Sequence, residues 1–169
     1  APVEELCRVE GIGENAALLL RLVPQIYRRS QTELDKPGQA IRTSDEAGAF
    51  FKKYFWSERN ELLLELCLDG KFRLLAWHKL SEGGAGGSAF NVRDAVRFAL
   101  ADNAMFVYLA HNHPSGLALP SEADCQATMA VETGLRTMGI RLLDHIIVAE
   151  NDYTSMADSG LLSGGERLI

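Results

Sequence analysis

The chain has 169 residues, 47% of them hydrophobic, and a formal charge of −6. That length buries one sizeable core with room for a small appendage, and no apolar run approaches the roughly 20 residues that span a bilayer, so no membrane association is expected. The acidic balance argues against a large nucleic-acid footprint, which should be basic, and the three isolated cysteines, Cys7, Cys67 and Cys125, exclude a disulfide framework.

The first residues, Ala1-Pro2-Val3-Glu4-Glu5, lack the basic and then apolar pattern of a signal peptide. With reduced cysteines this gives a cytoplasmic setting as the expectation. Val3 to Ser30 reads as two short helices around a hairpin, with Gly11 and Gly13 bracketing Ile12 where a tight turn needs residues without side chains. Pro24 lies inside the second helix and is expected to kink or break it. The segment 1–36 resembles a helix-hairpin-helix unit, a resemblance that implies a DNA phosphate held by the backbone N–H groups around Gly11 and Gly13. Its charges do not favour that partner: residues 1–39 carry Arg8, Arg21, Arg28, Arg29 and Lys36 against Glu4, Glu5, Glu10, Glu14, Glu33 and Asp35.

Ser30 to Ile41 reads as a linker around Pro37-Gly38, and a second unit, 37–169, follows. Thr43-Ser44-Asp45-Glu46 offers a helix start, continuing through Ala47, Phe50, Phe51 and Tyr54. Glu61 to Leu68 reads as a strand, Asp69-Gly70 as a hairpin turn, and Phe72 to Leu80 as the returning strand. Gly83 to Ser88 is too glycine-rich for regular structure and reads as a surface loop or a flap beside a site. No Gly-Lys-Ser/Thr follows it, so it is not a phosphate loop. Val92 to Asp102 reads as a helix. Met105 to Ala110 is apolar on both faces, the pattern of a buried central strand. Ser121 to Met138 reads as a helix with Asp124, Thr128, Val131, Leu135 and Met138 facing inward, stopped by Gly139. Ile140 to Ala149 and a short strand around Tyr153 complete a mixed α/β sheet flanked by helices.

The chemistry gathers at His111-Asn112-His113 and Ser121-x-x-Asp124. His-x-His at a strand end points two imidazoles to one side, because strand side chains alternate. Asp124, in the first turn of the next helix, supplies a third donor, and three protein ligands with one open position are what a catalytic zinc site needs. Other first-row divalent ions suit the same donors. Ser121-x-x-Asp124 is equally a helix N-terminal box, and the helix terminus disfavours a cation that the carboxylate then offsets.

The spacing of His111-x-His113, seven residues, Ser121, two residues, Asp124 resembles the JAMM (MPN+, JAB) metalloprotease motif, and His-Asn-His-Pro-Ser-Gly resembles its bacterial RadC branch. The likeness extends to Gly11-Ile12-Gly13, Glu61, Arg93, Ala104, Asp144-His145-Ile146-Ile147 and Gly160-Leu161. It implies a JAMM/MPN-type, cytidine-deaminase-like fold. It also implies one Zn2+ per chain held by His111, His113 and Asp124, Glu61 as general base, Ser121 as oxyanion stabiliser, and a peptide or isopeptide substrate. Glu58 and Glu65 remain alternatives to Glu61 on the residues alone. The chain departs from the family at Asn91-Val92, in the glycine-rich loop and at Leu117, which bears on the flap and the substrate rather than the metal. His78 reads as a strand surface residue and His145 as a structural or supporting one. The other readings are a DNA-associated repair or recombination protein whose metal domain is structural, and a metal-binding interaction module without turnover.

Overall fold

In the computed structural model the described residues are 1–32, 37–56, 58–83, 91–114, 116–150 and 152–162. Contacts divide the chain into two units, 1–35 and 36–169. In the first, α1 (Val3–Leu6) and α2 (Glu14–Thr32) flank a turn in which Gly11 takes φ +86°. Pro24 does not break α2, which runs on through it. Pro24 has no N–H for the Leu20 carbonyl, but Leu20 is half exposed, so water can satisfy that group.

The second unit begins its regular structure with α3 (Ser44–Phe55), capped by Thr43 Oγ1, which accepts the Glu46 N–H at 3.1 Å. Then follow β1 (Glu61–Leu68), β2 (Leu74–Gly83), α4 (Val92–Ala101), β3 (Phe106–Asn112), α5 (Glu122–Thr137), β4 (Arg141–Ala149) and β5 (Asp152–Ser155). The strands form one mixed sheet in the order β2-β1-β3-β4-β5, with β3 and β4 parallel and every other pair antiparallel. On one face α3 packs Phe50, Phe51 and Phe55 against Leu64, Leu66, Leu68 and Ile146. On the other face Ala95, Ala99, Val131 and Leu135 of α4 and α5 cover Cys67, Val107, Leu109 and Ile147. Burial on both faces explains why β3 reads as a continuous apolar run rather than an alternating one.

Three local expectations are corrected. The Asp69-Gly70 turn is wider than a two-residue hairpin: Asp69 Oδ1 accepts the Lys71 and Arg73 N–H groups at 2.8 and 2.9 Å, Phe72 takes φ +60°, and β2 starts at Leu74. Met138 faces solvent rather than the core, because α5 ends at Thr137 and Gly139, at φ +73°, reverses the chain. The flap reading of Gly83 to Ser88 lies outside the described residues except for Gly83 itself, and so do residues 33–36 of the linker reading. Among the described residues no helix is long and apolar enough to cross a membrane.

Candidate metal centre

The middle strand of the sheet delivers the histidines. His111 pairs with Leu63 on β1 and with Ile147 on β4, and only 3% of it is exposed. Past the strand the chain crosses to α5, helped by Gly116 at φ +87°. Ser121 caps α5: its hydroxyl accepts the Asp124 N–H at 3.2 Å, and its own N–H donates to Asp124 Oδ2 at 2.7 Å. The N-terminal box is therefore real, and it also aims a carboxylate. Ser121 Oγ donates to Oδ2 at 2.6 Å, while Oδ1 lies 3.3 Å from His111 Nε2. Burial opposes the charge on Asp124, but His111 beside it and the hydrogen bonds from Ser121 outweigh that and hold the carboxyl well below the usual range. Glu61 opens β1, the antiparallel neighbour of β3, and one donor atom each from Glu61, His111, His113 and Asp124 lies within 4.8 Å of the others.

Hydrogen bonds assign the imidazole protons. Thr128 Oγ1 donates to the Asp124 carbonyl at 2.6 Å and, with its one proton spent there, can accept from His145 Nδ1, also at 2.6 Å. His145 Nε2 is then an acceptor, and His111 Nδ1 donates to it at 2.8 Å. His145 is buried, and that burial, with His111 next to it, lowers its pKa well below the ordinary value and keeps it neutral. His113 Nδ1 donates to the Leu117 carbonyl at 2.8 Å. Both Nε2 atoms therefore present bare lone pairs, 2.8 Å apart, with the Asp124 oxygens at 3.3 and 3.6 Å. Such an electron-rich point needs a cation or a proton. Because the Leu117 carbonyl makes this bond, the sequence departure in its side chain leaves the histidine orientation intact.

Asn112 sets the position of Glu61. The β1–β3 ladder ends at Leu63–His111. There the Asn112 side chain takes over, with Oδ1 accepting the Leu62 N–H at 2.7 Å and Nδ2 donating to the Asn60 carbonyl at 3.0 Å. The two bonds grip the backbone on either side of Glu61. Asn112→Ala would strand a buried N–H, and an expected loss of about 1–3 kcal/mol can be read by urea denaturation.

A cleft of about 250 Å³ opens beside His113, lined by Phe55, Trp56, Glu58, Asn112, Pro114, Val148 and Glu150. Glu58 thus borders the site without joining the donor group, and Glu65 lies deep on β1, fully buried. Gly11 and Gly13 belong to the first unit. His78 is not a strand surface residue: it turns toward α4, stacking on Phe98 at 4.2 Å and pairing with Asp102 at 2.6 Å.

Sequence reasoning gave no specific task to His145, Thr128 or Asn112. A signal for Asn112 was present, since a short polar side chain is a poor strand former and a buried one must find partners. His145 and Thr128 meet only through the β3–β4 pairing and the docking of α5. If this donor group holds an ion, His145→Ala should weaken its affinity by about 10–100-fold, checked by competition with a chromophoric chelator.

A family model described as RadC-like JAB domain matches residues 41–161. The chain is similar to a UPF0758 protein of Bordetella avium, 38% identical over 159 residues, which cover 94% of this chain and 71% of that protein. It is likewise similar to a UPF0758 protein of Marinobacter nauticus, 32% identical over 158 residues (94% and 70%). A UPF0758 protein of Methanosarcina barkeri is 30% identical over 162 residues (96% and 71%).

Proposed function

This chain belongs to the RadC-like JAB domain family, and on that premise we propose that its central site is the metal centre of a hydrolase that cleaves an amide or isopeptide bond. The observation that carries this reading is the convergence of the His111 and His113 Nε2 atoms on the Asp124 carboxylate, with Glu61 alongside. Two imidazoles and a carboxylate fit an ion of the zinc type. His111, His113 and Asp124 would hold it, leaving the Glu61 side for water and substrate. When bound, the ion supplies Lewis-acid chemistry, polarising the scissile carbonyl and making water more acidic.

The chain's own groups do the rest. Glu61 accepts a proton from the attacking water at a carboxylate oxygen and passes it to the departing nitrogen, so that the amine leaves neutral. His111 and His113 keep their orientation through His145 and the Leu117 carbonyl. Ser121 Oγ donates to Asp124 in this structure. By turning from Asp124, which keeps the Ser121 N–H, it would donate instead to the carbonyl oxygen as negative charge builds there. The cleft beside His113 takes the substrate chain, and a peptide or isopeptide is the substrate class this arrangement serves.

The test is a screen of peptides and isopeptides against protein purified without chelator, with metal content measured in parallel. One ion that disappears in Asp124→Ala, together with cleavage that disappears with it, is the expected result. A protein that neither carries nor takes up an ion lost in that variant would end this reading.

A further inference from the structure

We infer that the α4 face of the sheet holds a second divalent-metal site, with Cys67 Sγ, His78 Nε2 and an Asp102 carboxylate oxygen as ligands and the buried Glu65 carboxylate as the neighbouring charge that the ion offsets. Donor atoms of Cys67, His78 and Asp102 lie within 4.8 Å of one another. Each comes from a different element: β1, β2 and the C-terminal cap of α4. His78 cannot easily swing away, because its ring lies flat on Phe98, 8° from parallel. Asp102 is fixed by its own N–H, which donates to the Phe98 carbonyl at 3.0 Å.

A His78–Asp102 ion pair would account for those two residues alone. It would not account for Glu65. That side chain shares the Cys67 face of β1 by alternation and stands opposite His78 in the strand register. It is fully buried, and neither carboxylate oxygen has a hydrogen-bond partner among the described residues. A buried acid without a partner is costly, and native structures rarely leave one without a purpose. Burial first, and the nearby Asp102 second, push its pKa up to about 8. Burial and the charges of Glu65 and Asp102 likewise push the Cys67 thiol up. The interior thus gathers three acidic groups around one imidazole, and Glu65 is the one left without a hydrogen-bond partner among the described residues. A divalent ion on Cys67, His78 and Asp102 would place positive charge beside it. The C-terminus of α4 adds its partial negative charge in favour of a cation.

Thiolate, imidazole and carboxylate together select a borderline-soft ion such as zinc, with cobalt as its spectroscopic substitute. The site's three ligands come from β1, β2 and the end of α4, with the buried Glu65 carboxylate beside them, so its role is to tie those elements together. It is separate from the centre at His111. Cys67 pairs with Val107 at the start of β3, whereas Leu63 pairs with His111 near its end. Four residues along β1 correspond to about 13 Å.

Cobalt distinguishes the two sites, because no sulfur donor belongs to the Glu61–His111–His113–Asp124 group. The full chain, stripped with chelator, is titrated with Co2+ and followed in the near ultraviolet, where thiolate-to-cobalt charge transfer absorbs. The expected result is a sulfur band that appears in the wild type, saturates at one equivalent in His111→Ala and disappears in Cys67→Ala. Zinc content should be two ions per chain in the wild type and one in each variant. Absence of the sulfur band from the wild-type protein, which needs no variant to fold, overturns the proposal. So does a band that survives Cys67→Ala, which would assign it to Cys7 or Cys125. Because the His111→Ala arm keeps the second site while deleting the first, failure of either assignment is visible without the other.

Discussion

Glu61→Gln is expected to keep the ion at His111, His113 and Asp124 and to lower amide hydrolysis by about 10²–10⁴-fold, the usual contribution of a positioned general base. The amide is the same shape as the carboxylate but cannot take a proton. Asn112 grips the backbone on both sides of residue 61 rather than its side chain, so the strand start should not move. Single-turnover rates with metal content measured on the same sample separate loss of proton transfer from loss of metal. Unchanged rates would mean that Glu61 is not the acceptor. Glu58, which borders the cleft beside His113, would be the next carboxylate to replace.

His111→Ala should act differently, removing metal and activity together. It also has a cost in the metal-free protein. The imidazole is almost fully buried and donates to His145 Nε2. Truncation leaves His145, Thr128 and the Asp124 carbonyl in a chain whose far end has lost its donor. Leaving one buried acceptor unpaired costs about 1–3 kcal/mol, and for a chain of this size each kcal/mol lowers Tm by roughly 2–4 °C. Calorimetry on chelator-treated protein should therefore show a drop for His111→Ala and little change for Glu61→Gln. Equal Tm values for the two variants would mean that the His111–His145 bond contributes little to holding the sheet and α5 together.

The parts of this site legible in the sequence were the local ones. His111, His113, Ser121 and Asp124 lie within fourteen residues, and strand alternation followed by a helix start is enough to turn three of their side chains toward one point. Glu61 is fifty residues away from His111, and only the antiparallel register of β1 on β3 distinguishes it from Glu58 and Glu65. On the residues alone the three were equivalent, and the family resemblance made the choice. The proton-fixing chain through His145 and Thr128 was not legible, because it exists only once β4 lies parallel to β3 and α5 covers both. Register also explains the misreading of His78: alternation along β2 does not say which face a helix will cover, and α4 covers the one that carries His78. The turn after Asp69 was misread for a smaller reason. Asp-Gly suggests a two-residue hairpin, but the Asp69 carboxylate found two backbone donors farther on and held the chain in a broader loop.

The placement of His111 on the innermost of five strands has a consequence for how the protein breathes. Strands at a sheet's edge fray with little cost, while central ones open only at free energies close to that of global unfolding. The base of the site, where His111 is paired on both sides and rests on His145, belongs to the second class. Amide hydrogens of β3 and β4 around His111 and Ile147 should therefore be among the slowest in the chain to exchange with deuterium. Ion entry and loss would then have to proceed from the solvent side, past His113 and Asp124, while the backbone beneath them stays closed.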